Sequence, residues 1–247
     1  MIPLFDRNPS RRLPWVTIGL IVLNFAVFIY MLTLSRVNLD IFTYRYAAVP
    51  WELLHGKQLP VQDLMQLLPL TSPGVSKSIY FSLISCMFLH AGWLHILFNM
   101  LFLGIFGDNV EDTMGHLPFL VFYLVCGVAA TMLHAVVYPN SIAPLVGASG
   151  AIAGVLGAYL VLFPRARIYA LLIVIPLSVP AWVFIGVWIV YQFLAGFTSQ
   201  SSVTENVAVF AHIGGVAVGV LITFVFYPIL KRRRRPTARV HKTDAEQ

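Results

Sequence analysis

Residues 113–164 read TMGHLPFLVFYLVCGVAATMLHAVVYPNSIAPLVGASGAIAGVLGAYLVLFP, with no Asp, Glu, Lys or Arg among them. A membrane-spanning helix needs about 20 apolar residues, so this stretch is too long for one span and long enough for two. Tyr138, Pro139, Asn140 and Pro144 interrupt it near the middle. Proline lacks a backbone donor and disfavours helix in the residue before it. The reading is helix, turn, helix, with both helices in hydrocarbon.

Outward from there the pattern recurs. Stretches 13–35, 78–107, 168–204 and 206–230 are also free of these four charged residues. Together they predict spans near 14–34, 92–107, 117–137, 149–163, 168–190 and 206–228. Of 247 residues, 59% are hydrophobic and 11% charged; soluble domains average about 45–50% and about 25%, so a single water-soluble core is excluded. The expected fold class is an all-α polytopic membrane protein of six transmembrane helices, with a membrane-associated first outer loop.

Basic residues set the orientation. Arg7, Arg11 and Arg12 precede the first span, Arg165 and Arg167 follow the fourth, and Lys231 to Arg235 follow the last. Cytoplasmic loops collect Lys and Arg, which places both termini inside. The expected divisions are a cytoplasmic N-terminal segment 1–13, a membrane domain 14–228 and a basic cytoplasmic tail 229–247. The tail reads as a stop-transfer and anionic-lipid anchor rather than a nucleic-acid patch. The first apolar run exceeds the 7–15 residues of a signal-peptide core, so it is expected to stay as an anchor. Residues 108–112, with Asp108, Glu111 and Asp112, are read as an inner loop. In the long outer connection 35–91, Ala47 to Leu54 and Val61 to Leu68 are amphipathic; surface helices and plain loop packing suit them equally. Cys86 and Cys126 read as inert small hydrophobes.

Polar side chains inside spans are costly and therefore informative. His95 and Asn99 stand four residues apart, on one helical face. His90 lies at the outer mouth just before them. The fourth span opens with Gly147-Ala148-Ser149-Gly150, and the sixth carries Ala211-His212-Ile213-Gly214-Gly215. Counting helix rise from Arg165 and Lys231 puts Ser149 roughly 24 Å and His212 roughly 28 Å above the inner surface, the same depth within about one turn. Gly150, Gly154, Gly157 and Ala158 form a small-residue stripe on the fourth span, and Ala208, Ala211, Gly215 and Gly219 one on the sixth. Such stripes let backbones approach closely.

A serine then meets a histidine, as nucleophilic catalysis requires. Ser149 opens a helix, so its N–H is free in a favourable dipole field. Asn99 and His95 add donors for an oxyanion hole. Gly147 supplies a turn without a Cβ, where a substrate strand can come close. Other hydrolase patterns fit poorly. There is no βαβ unit to carry a nucleophile elbow, no H-E-x-x-H, no third ligand for a catalytic zinc, and no acidic residue within the spans to complete a triad. No metal is expected.

These motifs, His95-Ile96-Leu97-Phe98-Asn99, Gly147-Ala148-Ser149-Gly150 and Ala211-His212-Ile213-Gly214-Gly215, are similar in order and spacing to those of the rhomboid intramembrane serine proteases. The resemblance covers residues 14 to 228 and includes Gly107-Asp108-Asn109-Val110-Glu111. It implies a rhomboid-like bundle in which Ser149 is the nucleophile, His212 the general base, and His95 and Asn99 oxyanion-side residues; His90 matches a further loop histidine, and Gly147 and His90 line the site. It also implies transmembrane protein substrates, a bacterial inner membrane, no cofactor and no nucleic acid. One departure stands out: many members carry Trp-Arg where this chain has Phe81-Ser82, which bears on outer-loop packing.

Substrates with Gly or Pro near their outer end are expected to be preferred, because helix is easier to unwind there. The fifth span and the Thr198 to Asn206 loop are the expected gate and cap. His134 is expected to hydrogen-bond between helices, and His55, His116 and His241 to be solvated or interfacial. A non-catalytic escort of membrane clients would lack the serine or histidine, and a transporter would show an inverted repeat; neither pattern is present.

Overall fold

The computed structural model describes residues 1–67, 75–198 and 209–233. In chain order these form β1 (Ile2–Asp6), α1 (Trp15–Leu32), α2 (Arg36–Tyr46), α3 (Pro50–His55), α4 (Val61–Leu67), α5 (Ser82–Ser85), α6 (Trp93–Met114), α7 (His116–Val137), α8 (Ser149–Leu162), β2 (Arg167–Leu172), β3 (Ile175–Pro180), α9 (Ala181–Thr198) and α10 (Val209–Arg233). Four helical stretches are long and apolar enough to cross a membrane: Trp15–Leu32, Trp93–Met114, His116–Val137 and Val209–Lys231. Two shorter apolar helices, Ser149–Leu162 and Ala181–Gln192, complete the set. The protein is mostly helical and membrane-embedded, with multiple passes.

The centre is α8. Every residue from Gly150 to Tyr159 is buried, as suits a helix that is apolar all round. It is enclosed by α6, α7 and α10. On α6, Phe106 meets Tyr159 edge-on at 5.0 Å between ring centroids and stacks on Phe184 of α9 at 5.9 Å.

The all-α expectation is corrected by a three-stranded antiparallel sheet of order β1-β2-β3. The predicted fifth span, 168–190, is in fact a hairpin followed by a helix that begins only at Ala181. Freedom from charge suits a buried strand as well as a helix. Here Ile168 and Ala170 are buried while Tyr169 and Leu171 are less so, a period of two that belongs to strands. Pro176 and Pro180 would break a helix interior but are tolerated on the edge strand β3. The N-terminal segment also carries structure, since β1 pairs with β2 from Ile2↔Leu171 to Asp6↔Ile168.

The expected inner loop at 108–112 is likewise corrected: it is the last part of α6, which runs on to Met114 and breaks at Gly115, φ 91. Its acidic residues turn inward. Glu111, 1% exposed, accepts hydrogen bonds from Val16 N (2.9 Å), Thr17 N (2.8 Å) and Thr17 Oγ1 (2.7 Å), and lies 2.6 Å from His116 Nδ1. It thereby caps α1, whose own cap residue Pro14 offers no side chain, and places a carboxylate at the positive end of that helix. Asp6 accepts from Tyr159 Oη and from Asn109 Nδ2, tying the sheet to α8 and α6. Burial raises the Asp6 carboxyl above its ordinary 3.8, and the Tyr159 hydrogen bond opposes the shift.

The connection between α1 and α6 has its own small core of Tyr44, Val49, Leu59 and Val75. At its centre Glu52 takes a hydrogen bond from Tyr44 Oη (2.5 Å) and from Leu59 N (3.0 Å), and pairs with Lys77 Nζ at 2.6 Å. The amphipathic stretches noted in the sequence form α3 and α4; Leu68 lies outside the described residues. An Ala48↔Leu145 bridge joins this loop to the chain leading into α8.

Candidate active site

The chain entering α8 is shaped by Gly147. Its φ of +123° lies where side-chain-bearing residues rarely go, and its N–H donates to Cys86 O at 2.9 Å. A Cβ there would stand 2.7 Å from His95 Nε2 and 3.8 Å from Ser149 Oγ. The His95 imidazole of α6 therefore lies directly over the Gly147 backbone, beside the first residue of α8. Ser149 is that first residue, so its N–H has no intrahelical acceptor.

Packing of α8 against α10 is backbone to backbone. A Cβ on Gly215 or Gly219 would run into the carbonyls of Gly150 or Gly154, and one on Gly157 would lie 2.5 Å from Val216 O. Toward α7, a Gly150 Cβ would meet Ala130 at 2.7 Å, and a Gly154 Cβ would meet Cys126 Sγ at 2.6 Å. The glycines are required on both sides. Gly150 also faces the Ala211 carbonyl, which brings the residues flanking Ser149 and His212 into one layer.

A cavity of about 310 Å³ opens at this layer, lined by His95, Gly147, Ser149, Gly150, Thr131 and Ala211 among others. His90, Asn99 and His212 do not line it. His212 is 7% exposed, and neither of its ring nitrogens has a hydrogen-bond partner among the described residues. Trp188 of α9 covers it, with ring centroids 5.5 Å apart. A Ser149–His212 hydrogen bond is not made in this structure. Asn99 Nδ2 and both His90 nitrogens are also buried without partners among the described residues, and the His90 ring meets the His95 ring edge-on at 5.0 Å. Buried polar groups are nearly always paired, so these unused donors and acceptors stand out, although none of them lines the cavity.

Outside this group, His134 of α7 is buried. Its Nδ1 is buried without a partner among the described residues, and its ring stands 5.0 Å from Tyr138. His116 is paired with Glu111, and His55 stacks on Trp51. His241, Arg234, Arg235 and the 199–206 segment lie outside the described residues. Both cysteines are free and buried. Among the described residues no cluster of three or more His, Cys, Asp or Glu has metal-binding geometry.

Three structural residues escaped the sequence reading. Trp188 had a signal, since Phe184 and Trp188 stand four apart on one face of α9. Glu111 and Glu52 had none, because a charge buried by distant partners looks like any other charge in a sequence.

Comparison with known proteins matches residues 77–229 to the Rhomboid domain. RHOMBOID-like protein 1 of Arabidopsis thaliana is 30% identical over 238 residues, covering 90% of this chain and 57% of that protein. RHOMBOID-like protein 4 of the same plant is 28% identical over 242 residues, covering 93% of this chain and 58% of that protein. YdcA, a rhomboid relative from Bacillus subtilis, is 30% identical over 167 residues, covering 66% of this chain and 74% of YdcA. The chain thus spans somewhat under three-fifths of the length of the two plant relatives. Family match, apolar helices and the glycine-lined α8–α10 seam converge on one conclusion: the chain belongs to the rhomboid family.

Proposed function

We propose that this protein is an intramembrane serine endopeptidase that cleaves transmembrane protein substrates with a Ser149–His212 dyad. The observation that carries the reading is Ser149 at the start of α8, opening onto a cavity beneath His95 and Gly147. Ser149 Oγ attacks the scissile carbonyl carbon as His212 takes its proton. The carbonyl oxygen gains negative charge and is held by the Ser149 N–H, Asn99 and His95. The C–N bond then breaks, His212 returns the proton to the leaving amine, and an acyl ester remains on Ser149. Water, deprotonated by His212, hydrolyses the ester and restores the serine. No metal or cofactor enters.

The dyad hydrogen bond is expected to form when a substrate displaces Trp188 and frees the imidazole; catalytic hydrogen bonds often tighten only in the complex. The proposed topology has six passes, with α8 and α9 as the two short ones, both termini in the cytoplasm of a bacterial cell and the outer loop resting on the membrane. In this scheme α9 and the 199–206 segment guard substrate entry, and a substrate helix unwinds before attack, which favours Gly or Pro near its outer end.

The unmade Ser149–His212 bond also favours a second reading, a client-binding member without hydrolytic activity. A fluorophosphonate probe separates the two. The protease reading expects labelling of the reconstituted protein, lost in Ser149→Ala and in His212→Ala, and cleavage of a transmembrane reporter lost in the same variants. Absence of labelling in the wild type supports the client-binding reading.

A further inference from the structure

Outside the helices, the most exposed apolar residues cluster at the tip of the β2–β3 hairpin. Ile173 and Val174, its two-residue loop, are 87% and 80% exposed, with Ile175 at 58% and Leu172 at 44% beside them. Keeping such surface in water costs about 25 cal/mol per Å². The backbone adds to the cost. Ile173 has φ 61°, the one positive φ on a non-glycine residue among the described residues. This is the first central position of a tight hairpin, where glycine is favoured, and a β-branched residue there is an outlier. Strain of about 1–3 kcal/mol persists where function requires it. Glycine would relieve the turn but would remove the apolar side chain from the tip.

The surroundings indicate what covers this tip. Arg7, Arg11, Arg12, Arg165 and Arg167 are all exposed at this end of the bundle. Against these stand four carboxylates: Asp6, held by Tyr159 and Asn109, and Glu111, held by the start of α1, are engaged internally, while half-buried Asp108 accepts from Asn109 and half-buried Asp112 takes an exposed bond from Arg11 N. With five exposed arginines against two half-buried carboxylates, the surface carries net positive charge. Trp15 and Trp182, at the starts of α1 and α9, are 62% and 58% exposed, as befits rings at a membrane–water boundary. The chain entering the hairpin is bonded to the start of α9, by Ala181 N to Ala166 O at 2.8 Å and Trp182 N to Pro164 O at 3.1 Å. Strands of this length extend about 20 Å, so the tip stays within reach of the bilayer surface. It is also convex, with apolar side chains on a narrow turn, which fits fluid hydrocarbon better than a complementary protein groove.

We propose that the β2–β3 hairpin is a lipid-inserting finger: Leu172, Ile173, Val174 and Ile175 enter the apolar margin of the adjoining leaflet while Arg7, Arg165 and Arg167 hold anionic headgroups. The inference is independent of the protease reading. To test it, Val174→Cys is labelled with an environment-sensitive fluorophore in the full chain, where both native cysteines are buried. The protein is reconstituted into vesicles of phosphatidylcholine with phosphatidylglycerol. The expected result is blue-shifted emission, quenching by doxyl-labelled lipid and loss of quenching by aqueous iodide. The shift is expected to be smaller in phosphatidylcholine alone or at high salt, which screens the arginines. Ile173→Asn, compatible with the left-handed turn, is expected to reduce quenching by lipid while leaving the melting temperature in place. Free access to iodide overturns the proposal. So does shielding from both quenchers, which would mean a protein surface covers the tip. Lipid quenching unchanged by Ile173→Asn also overturns it, since the label itself would then be driving insertion.

Discussion

The carboxylates at one end of the bundle and the histidines at the other are treated in opposite ways. Where α1 begins, the buried carboxylates are satisfied: Glu111 receives three hydrogen bonds from the start of α1, and Asp6 receives those of Tyr159 and Asn109. Toward the other end, His90, Asn99 and His212 are buried with unused hydrogen-bonding atoms. An unpaired buried polar group costs about 1–3 kcal/mol. The carboxylates therefore serve assembly, while the unpaired groups carry a stability cost that the proposed reaction would account for.

The contrast yields separable outcomes for activity and stability. Asn99→Ala is expected to slow cleavage by roughly 10- to 1000-fold, the loss typical of an oxyanion donor. Its melting temperature should hold, because the deleted amide nitrogen bonds to nothing among the described residues. Gly147→Ala is expected to cost about 100-fold in turnover through misplacement of catalytic groups, since the new methyl lies 2.7 Å from His95 Nε2 at a φ of +123°; a wild-type rate would detach His95 and Gly147 from the mechanism.

At the other end the pattern reverses. Glu111→Ala is expected to destabilise the fold by about 1–3 kcal/mol as α1 loses its cap, read as a lower melting temperature, while cleavage per folded molecule stays unchanged. A selective loss of turnover there would break the comparison. The smallest effect belongs to Asp6→Asn. The folded state raises the Asp6 pKa, so its proton is held more tightly folded than unfolded, and the carboxyl's contribution weakens as pH rises above 3.8. Asparagine mimics the protonated form. The variant should match or exceed the wild-type melting temperature at neutral pH, with the gap closing as pH falls toward 3.8.

Much of this arrangement was legible beforehand. The charge-free runs marked α1, α6, α7, α8 and α10, and the start of α8 at Ser149 followed from Gly147 and the Pro144 turn. Where the reading failed, a local pattern had two meanings. The 168–180 stretch lacks charge whether it is helix or strand, and only pairing with β1, more than 160 residues earlier in the chain, decides for strand. Glu111 looked like a loop acid because its partners, Val16 and Thr17, lie 95 and 94 residues away.

The sequence by itself determined that the chain is a membrane bundle and which polar residues fall within its apolar stretches. Apolar runs, chain breaks and residue types are local, and transfer free energy acts on them residue by residue. The tertiary structure alone decided which polar groups are satisfied and which are left open, how His95 lies over Gly147, and that β1 completes a sheet with the hairpin. Those outcomes depend on contacts between distant segments, and the balance between burial and pairing is settled only once such segments meet.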